Sequence, residues 1–140
     1  MSDRPSGTVT FLFTDIEGST RLWEERPDEM RAALGEHDAF VRSAIETHGG
    51  YVFSTGGDGF AAAFSRAADA VDAARKAQAS LAGHPLIRVR MGVHTGEVEE
   101  RDGDYFGPAV NRAARIMAAG HGGQVLVQPD LAAAAITALV

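Results

Sequence analysis

Apolar positions along the chain recur with two periods, and the changes between them mark out the elements. Residues 8–14 read Val-Thr-Phe-Leu-Phe at their centre, aromatic and β-branched with apolar side chains on both faces. That pattern predicts a buried central strand, here ending at Asp15. From about 28 to 48, Met30, Leu34, Val41 and Ile45, with His37 on the same stripe, step by three or four as an amphipathic helix requires, until Gly49-Gly50 stops it. Residues 51–54 and 60–64 are short strands joined by Thr55-Gly56-Gly57-Asp58-Gly59, a glycine-dense connection that reads as a hairpin with Asp58 at its tip. Ser65 is placed to cap a helix running to about Leu81, with Val71, Ala74 and Ala77 inward, before Gly83 and Pro85.

Residues 87–95 alternate Ile87, Val89, Met91 and Val93 against Arg88, Arg90 and His94, the pattern of a strand with one buried face. A polar turn at 101–104 precedes Gly107-Pro108, a helix start, and the helix to about Ala119 turns Val110, Ala113, Ala114 and Met117 inward. Residues 124–128 form another strand and 130–140 an alanine-rich helix. This order predicts one α+β domain over residues 1–140, a ferredoxin-like sandwich of a mostly antiparallel sheet with helices on one side.

Composition narrows what such a domain does. No apolar run reaches the roughly 18 residues that a membrane span needs, and no export-signal pattern follows the N-terminal MSDRPSG. A cytoplasmic location without membrane contact is therefore expected. The absence of cysteine removes disulfide scaffolds, thiolate zinc sites and thiol nucleophiles. A net charge of −6 argues against nucleic acid as a partner. Lys76 is the sole lysine, so the phosphate loop G-x-x-x-x-G-K is absent. His37, His48, His84, His94 and His121 show no zinc-ligand spacing and are expected to be structural or solvent-facing.

Three segments carry candidate chemistry. In Phe13-Thr14-Asp15-Ile16-Glu17-Gly18-Ser19-Thr20 a carboxylate at the end of a buried strand precedes a tight turn and a helical start at Thr20. Backbone N–H groups from Glu17, Gly18, Ser19 and Thr20 at such a start favour anionic oxygens, although a plain helix cap has the same letters. Ser54-Thr55-Gly56-Gly57-Asp58-Gly59-Phe60 sets a second carboxylate on a hairpin that can lie beside Asp15. Hard divalent cations take one or two carboxylates plus substrate phosphates, and two such cations clamp an in-line displacement. In Asp104-Tyr105-Phe106-Gly107-Pro108-Ala109-Val110-Asn111-Arg112-Ala113-Ala114-Arg115, Asn111 and Arg115 share one helical face, where an amide and a guanidinium fork suit ribose and phosphate.

Together these segments, with His94-Thr95-Gly96, resemble the class III adenylyl and guanylyl cyclases from residue 8 to about 128, and most closely the bacterial versions found in larger regulatory proteins. The resemblance implies the class III cyclase fold and conversion of ATP to cyclic AMP. It implies that Asp15, Asp58 and the Ile16 carbonyl hold two Mg2+ or Mn2+ ions, that Asn111 orients the ribose, and that Arg115 stabilises charge on the α-phosphate. It also implies a homodimer, with the metal side of each site from one subunit and Asn111 and Arg115 from the other. Asp104 stands where the family accepts the adenine amino group, which favours ATP over GTP.

Ser54 stands where adenylyl cyclases usually carry a lysine, so looser base selection or slower turnover is expected. The family continues into a C-terminal hairpin with a lysine for the triphosphate, and the chain ends at Val140 without it. These departures keep a second reading open, a noncatalytic nucleotide-binding or dimerisation sensor. A diguanylate cyclase, resembled through Gly56-Gly57-Asp58-Gly59-Phe60, is disfavoured by Gly59 where that family has glutamate and by the Asn111–Arg115 helix.

Overall fold

A computed structural model describes residues 4–128. Strand β1 (Gly7–Ile16) lies in the middle of the sheet because its side chains are apolar on both faces, so each face needs a covering layer. It pairs antiparallel with β3 (Gly59–Phe64) on one side and β4 (Val89–Arg101) on the other. The edge beyond β3 is β2 (Tyr51–Ser54), whose pairing shifts register between Val52 and Ser54. Beyond β4, β5 (Asp104–Phe106) pairs antiparallel with its distal half and β6 (Val125–Gln128) parallel with its proximal half. The predicted helix at 130–140 lies outside the described residues.

Helices α2 (Pro27–Thr47) and α3 (Ala67–Leu81) cover one face. Their buried residues, among them Met30, Val41, Ile45, Ala74 and Ala77, pack on Leu12, Ile16, Phe64, Met91 and Val93. Complete burial of a large apolar side chain contributes roughly 1.5–3 kcal/mol, so this layer supplies most of the cohesion. A short helix α1 (Ser19–Glu25) precedes α2, separated from it by Arg26 alone. Ser65 does not cap α3: the N-cap is Arg66, in extended conformation and without a side-chain cap bond.

Helix α4 (Pro108–Ala118) corrects the expectation of helices on one side, because it packs on the opposite face. Ala109 and Ala113 are its buried residues, joined by Val9, Phe11, Ala63 and Tyr105, whereas Val110, Ala114 and Met117 are only half-buried. The cause lies in β4, where Gly92 and Gly96 sit under the crossing helix. A Cβ on Gly92 would fall 2.4 Å from the backbone N of Met117, so only glycine admits the helix so close. Burial of both faces also makes His94 a buried residue, not one on a polar face.

Phe11, Phe53 and Tyr105 pack edge to face on the α4 side, with ring centroids 4.9–5.8 Å apart. They fasten the β4–β5 hairpin back over the sheet, and Tyr51 Oη donates to the Gly103 carbonyl at 3.0 Å. Tyr105 was legible only as part of a motif, and β5 was not expected. Among the described residues, no helix is long and apolar enough to cross a membrane.

Candidate active site

Asp15 sits one residue before the end of β1, on the face that carries α4. The register sets it opposite Gly59 of β3 and Arg90 of β4. Gly59 permits the approach, since a Cβ there would lie 2.1 Å from the Thr14 carbonyl oxygen. Thr14 Oγ1 then accepts the Phe60 N–H at 3.0 Å, and the Ile16 N–H donates to the Asp58 carbonyl at 3.2 Å. Asp15, Ile16 and Asp58 are therefore brought to one corner by backbone pairing.

Arg90, which the sequence placed only on the polar side of its strand, closes that corner. Its Nε and Nη2 donate to the two Asp15 carboxylate oxygens at 2.8 and 2.5 Å, in a pair about three-quarters shielded from solvent. The guanidinium pKa is held above its ordinary value, first by this hydrogen bonding and, against the effect of burial, by the charges of Asp15, Glu17 and Asp58. One cation thus feels all three carboxylates. The alternation in β4 exposes Arg90 as a candidate only when its cross-strand partner is known.

The turn after β1 differs in detail from the expectation. The Glu17 N–H is not available to a ligand, because it donates to the Arg88 carbonyl at 2.8 Å. The Glu17 carboxylate accepts the Gly122 N–H at 3.2 Å, tying the turn to the loop before β6. Helix α1 starts at Ser19, one residue earlier than predicted, with Gly18 as its N-cap and Thr20 in its first turn.

Asn111 and Arg115 are exposed on one flank of α4. Among the described residues no hydrogen bond or ion pair links either of them to Asp15 or Asp58. Ser54 and Asp104 are also exposed. They directly follow Phe53 and precede Tyr105, whose rings are 4.9 Å apart, so the two proposed base-contacting positions belong to neighbouring segments at one side of the sheet. The Asp104 carboxylate accepts the N–H of Tyr105 at 2.9 Å.

The donor set fits a hard divalent cation. Two carboxylates and one backbone carbonyl leave coordination positions for water and substrate phosphates, as Mg2+ prefers. Among the described residues there is no group of three or more His, Asp or Glu side chains that would form an all-protein metal cage. His37 is buried with Nδ1 2.8 Å from Asp38, and His84 Nδ1 accepts the N–H groups of Leu86 and Ile87, so both serve structure.

Residues 1–136 match the family of the adenylate and guanylate cyclase catalytic domain. The chain belongs to that family. An uncharacterized Mycobacterium tuberculosis protein is 48% identical over 126 residues, covering 88% of this chain and 43% of that protein. The adenylate cyclase of Podospora anserina is 35% identical over 159 residues, covering 92% of this chain and 7% of the fungal protein. The cyclase domain thus spans less than half the length of these relatives. Among solved structures, an adenylate cyclase from Trypanosoma brucei in its monomeric state superposes with a TM-score of 0.80 at 30% identity, covering 89% of this chain and 74% of that one. An adenylate/guanylate cyclase/hydrolase from Silicibacter pomeroyi gives 0.78 at 30% identity over 86% and 74%. The α+β architecture is therefore that of the class III cyclase domains.

Proposed function

We propose that this cyclase domain converts ATP to cyclic AMP and pyrophosphate at composite sites of a homodimer. The observation that carries this reading is the corner where Asp15 and Asp58 meet, joined by the Ile16 N–H to the Asp58 carbonyl. Asp15, Asp58 and the Ile16 carbonyl would hold two Mg2+ or Mn2+ ions. When bound, these ions would acidify the ribose 3′ hydroxyl and offset charge on the leaving pyrophosphate.

The 3′ oxygen attacks the α-phosphorus, its proton passes to solvent, and the bond from that phosphorus to the β-phosphate oxygen breaks. No covalent enzyme intermediate is required. The chain's own part is positioning and electrostatics. Asn111 of one subunit orients the ribose against the carboxylate corner of the other, and Arg115 offsets negative charge gathering on the α-phosphate. Their exposure on α4, with no hydrogen bond or ion pair to Asp15 of the same chain among the described residues, supports a site completed across a dimer. Asp104 accepts from the adenine amino group, and Ser54 offers a hydroxyl to the ring. The names of the fungal relatives support ATP as the substrate.

The test is to incubate the purified domain with ATP and Mn2+, and separately with GTP and Mn2+, and to assay cyclic products beside an Asp58→Ala control. Cyclic AMP formed by the parent and not by the variant is the expected result. A second reading, a nucleotide-binding sensor without turnover, rests on the neutral Ser54 in place of a lysine. Product from neither nucleotide would favour it.

A further inference from the structure

We infer that Arg90 and a divalent cation compete for the Asp15 carboxylate, which makes Arg90 a positioning residue that sets how readily the corner loads metal. This rests on the reading of Asp15 as a metal ligand. The guanidinium takes both carboxylate oxygens, at 2.8 and 2.5 Å, and a cation needs at least one of them. Direct cross-strand register between Asp15 and Arg90 holds the two backbones in place, so the contest is settled by side-chain movement.

Arginine cannot give up its proton at any working pH, so it cannot yield by neutralising itself. It must move, and a second anchor is already within reach. Arg90 Nη1 lies 3.4 Å from the carbonyl oxygen of Ala118, the last residue of α4, where the negative end of the helix dipole attracts a cation. Partial burial of the pair, with side chains 26% and 23% exposed, keeps the contest from being washed out as it would be at an open surface. Glu17 and Asp58 pull on the same guanidinium, so a metal at this corner meets a defended site.

The experiment measures Mn2+ binding by electron paramagnetic resonance of the free ion, without nucleotide, so that its readout is independent of turnover. The parent is compared with Arg90→Gln, Arg90→Lys and Asp15→Asn, each checked for folding by circular dichroism. Arg90→Gln is expected to bind Mn2+ about tenfold more tightly than the parent, equivalent to about 1.4 kcal/mol. Arg90→Lys, which makes a single-point contact, should fall between them, and it carries the test if Arg90→Gln fails to fold. Asp15→Asn should bind more weakly. Weaker Asp15→Asn with no gain in either Arg90 variant would overturn the competition while leaving the metal corner standing. Unchanged binding in Asp15→Asn would remove the corner itself and the proposal with it.

Discussion

The Ile16 N–H donates to the Asp58 carbonyl at 3.2 Å, so the end of β1 and the tip of the β2–β3 hairpin form one corner. The Asp58 side chain is not needed for that bond. Asp58→Ala is therefore expected to lower cyclase turnover by at least about a hundredfold, as loss of a preorganised electrostatic group does. Its thermal midpoint should stay close to the parent's. A variant that kept most of its kcat would contradict the assigned role.

Under the proposed shared site Asn111 and Arg115 serve the aspartates of the other subunit, and among the described residues no hydrogen bond or ion pair links them to Asp15 or Asp58 of their own chain. Mixing inactive Asp58→Ala with inactive Arg115→Ala should consequently restore activity. Random pairing gives half heterodimers with one intact site each, so about a quarter of parental activity per total protein is expected. A mixture as inactive as its components would rule out the shared site.

Gly92 lies under α4, and a methyl group there would press on the Met117 backbone. Gly92→Ala should cost about 1–3 kcal/mol in urea denaturation, because backbone on one side or the other must shift. It should also depress kcat, since the displaced helix carries Asn111 and Arg115. Gly35→Ala is the matched control. It lies within α2 with open space around it, and should be neutral or stabilising by up to about 1 kcal/mol.

Burial pushes the Tyr105 phenol up from 10.0 to about 12, and its hydroxyl donates to the Pro5 carbonyl at 2.7 Å. The folded state thus favours the neutral phenol. Its contribution to stability is complete below pH 10 and is lost as pH rises from 10 toward 12. Tyr105→Phe should lose about 1 kcal/mol at pH 8, where only the hydrogen bond is missing. It should then decline less than the parent between pH 10 and 12. Parallel declines in urea midpoint would refute this.

Local chemistry made much of the fold legible. The strand through Phe11 and Phe13, the helix through Met30, Val41 and Ile45, and the Gly56-Gly57 hairpin all follow from side-chain period and turn residues, which act over a few neighbours. The same letters marked Asp15 and Asp58, because a carboxylate at a strand end or hairpin tip is visible without partners. Ser65 misled, since a hydroxyl before a helix signals a cap only when the backbone turns there, and here it turns one residue later.

The sequence by itself determined the elements, their order and the acidic and amide groups proposed for the domain's chemistry. Tertiary structure alone decided which faces those elements cover and which charges meet. Helix α4 crosses to the far face because Gly92 leaves room for it, and Arg90 reaches Asp15, 75 residues away, because strand register places them opposite. Such contacts depend on the closing of long loops around a shared core, a property of the whole chain that no short stretch of residues encodes.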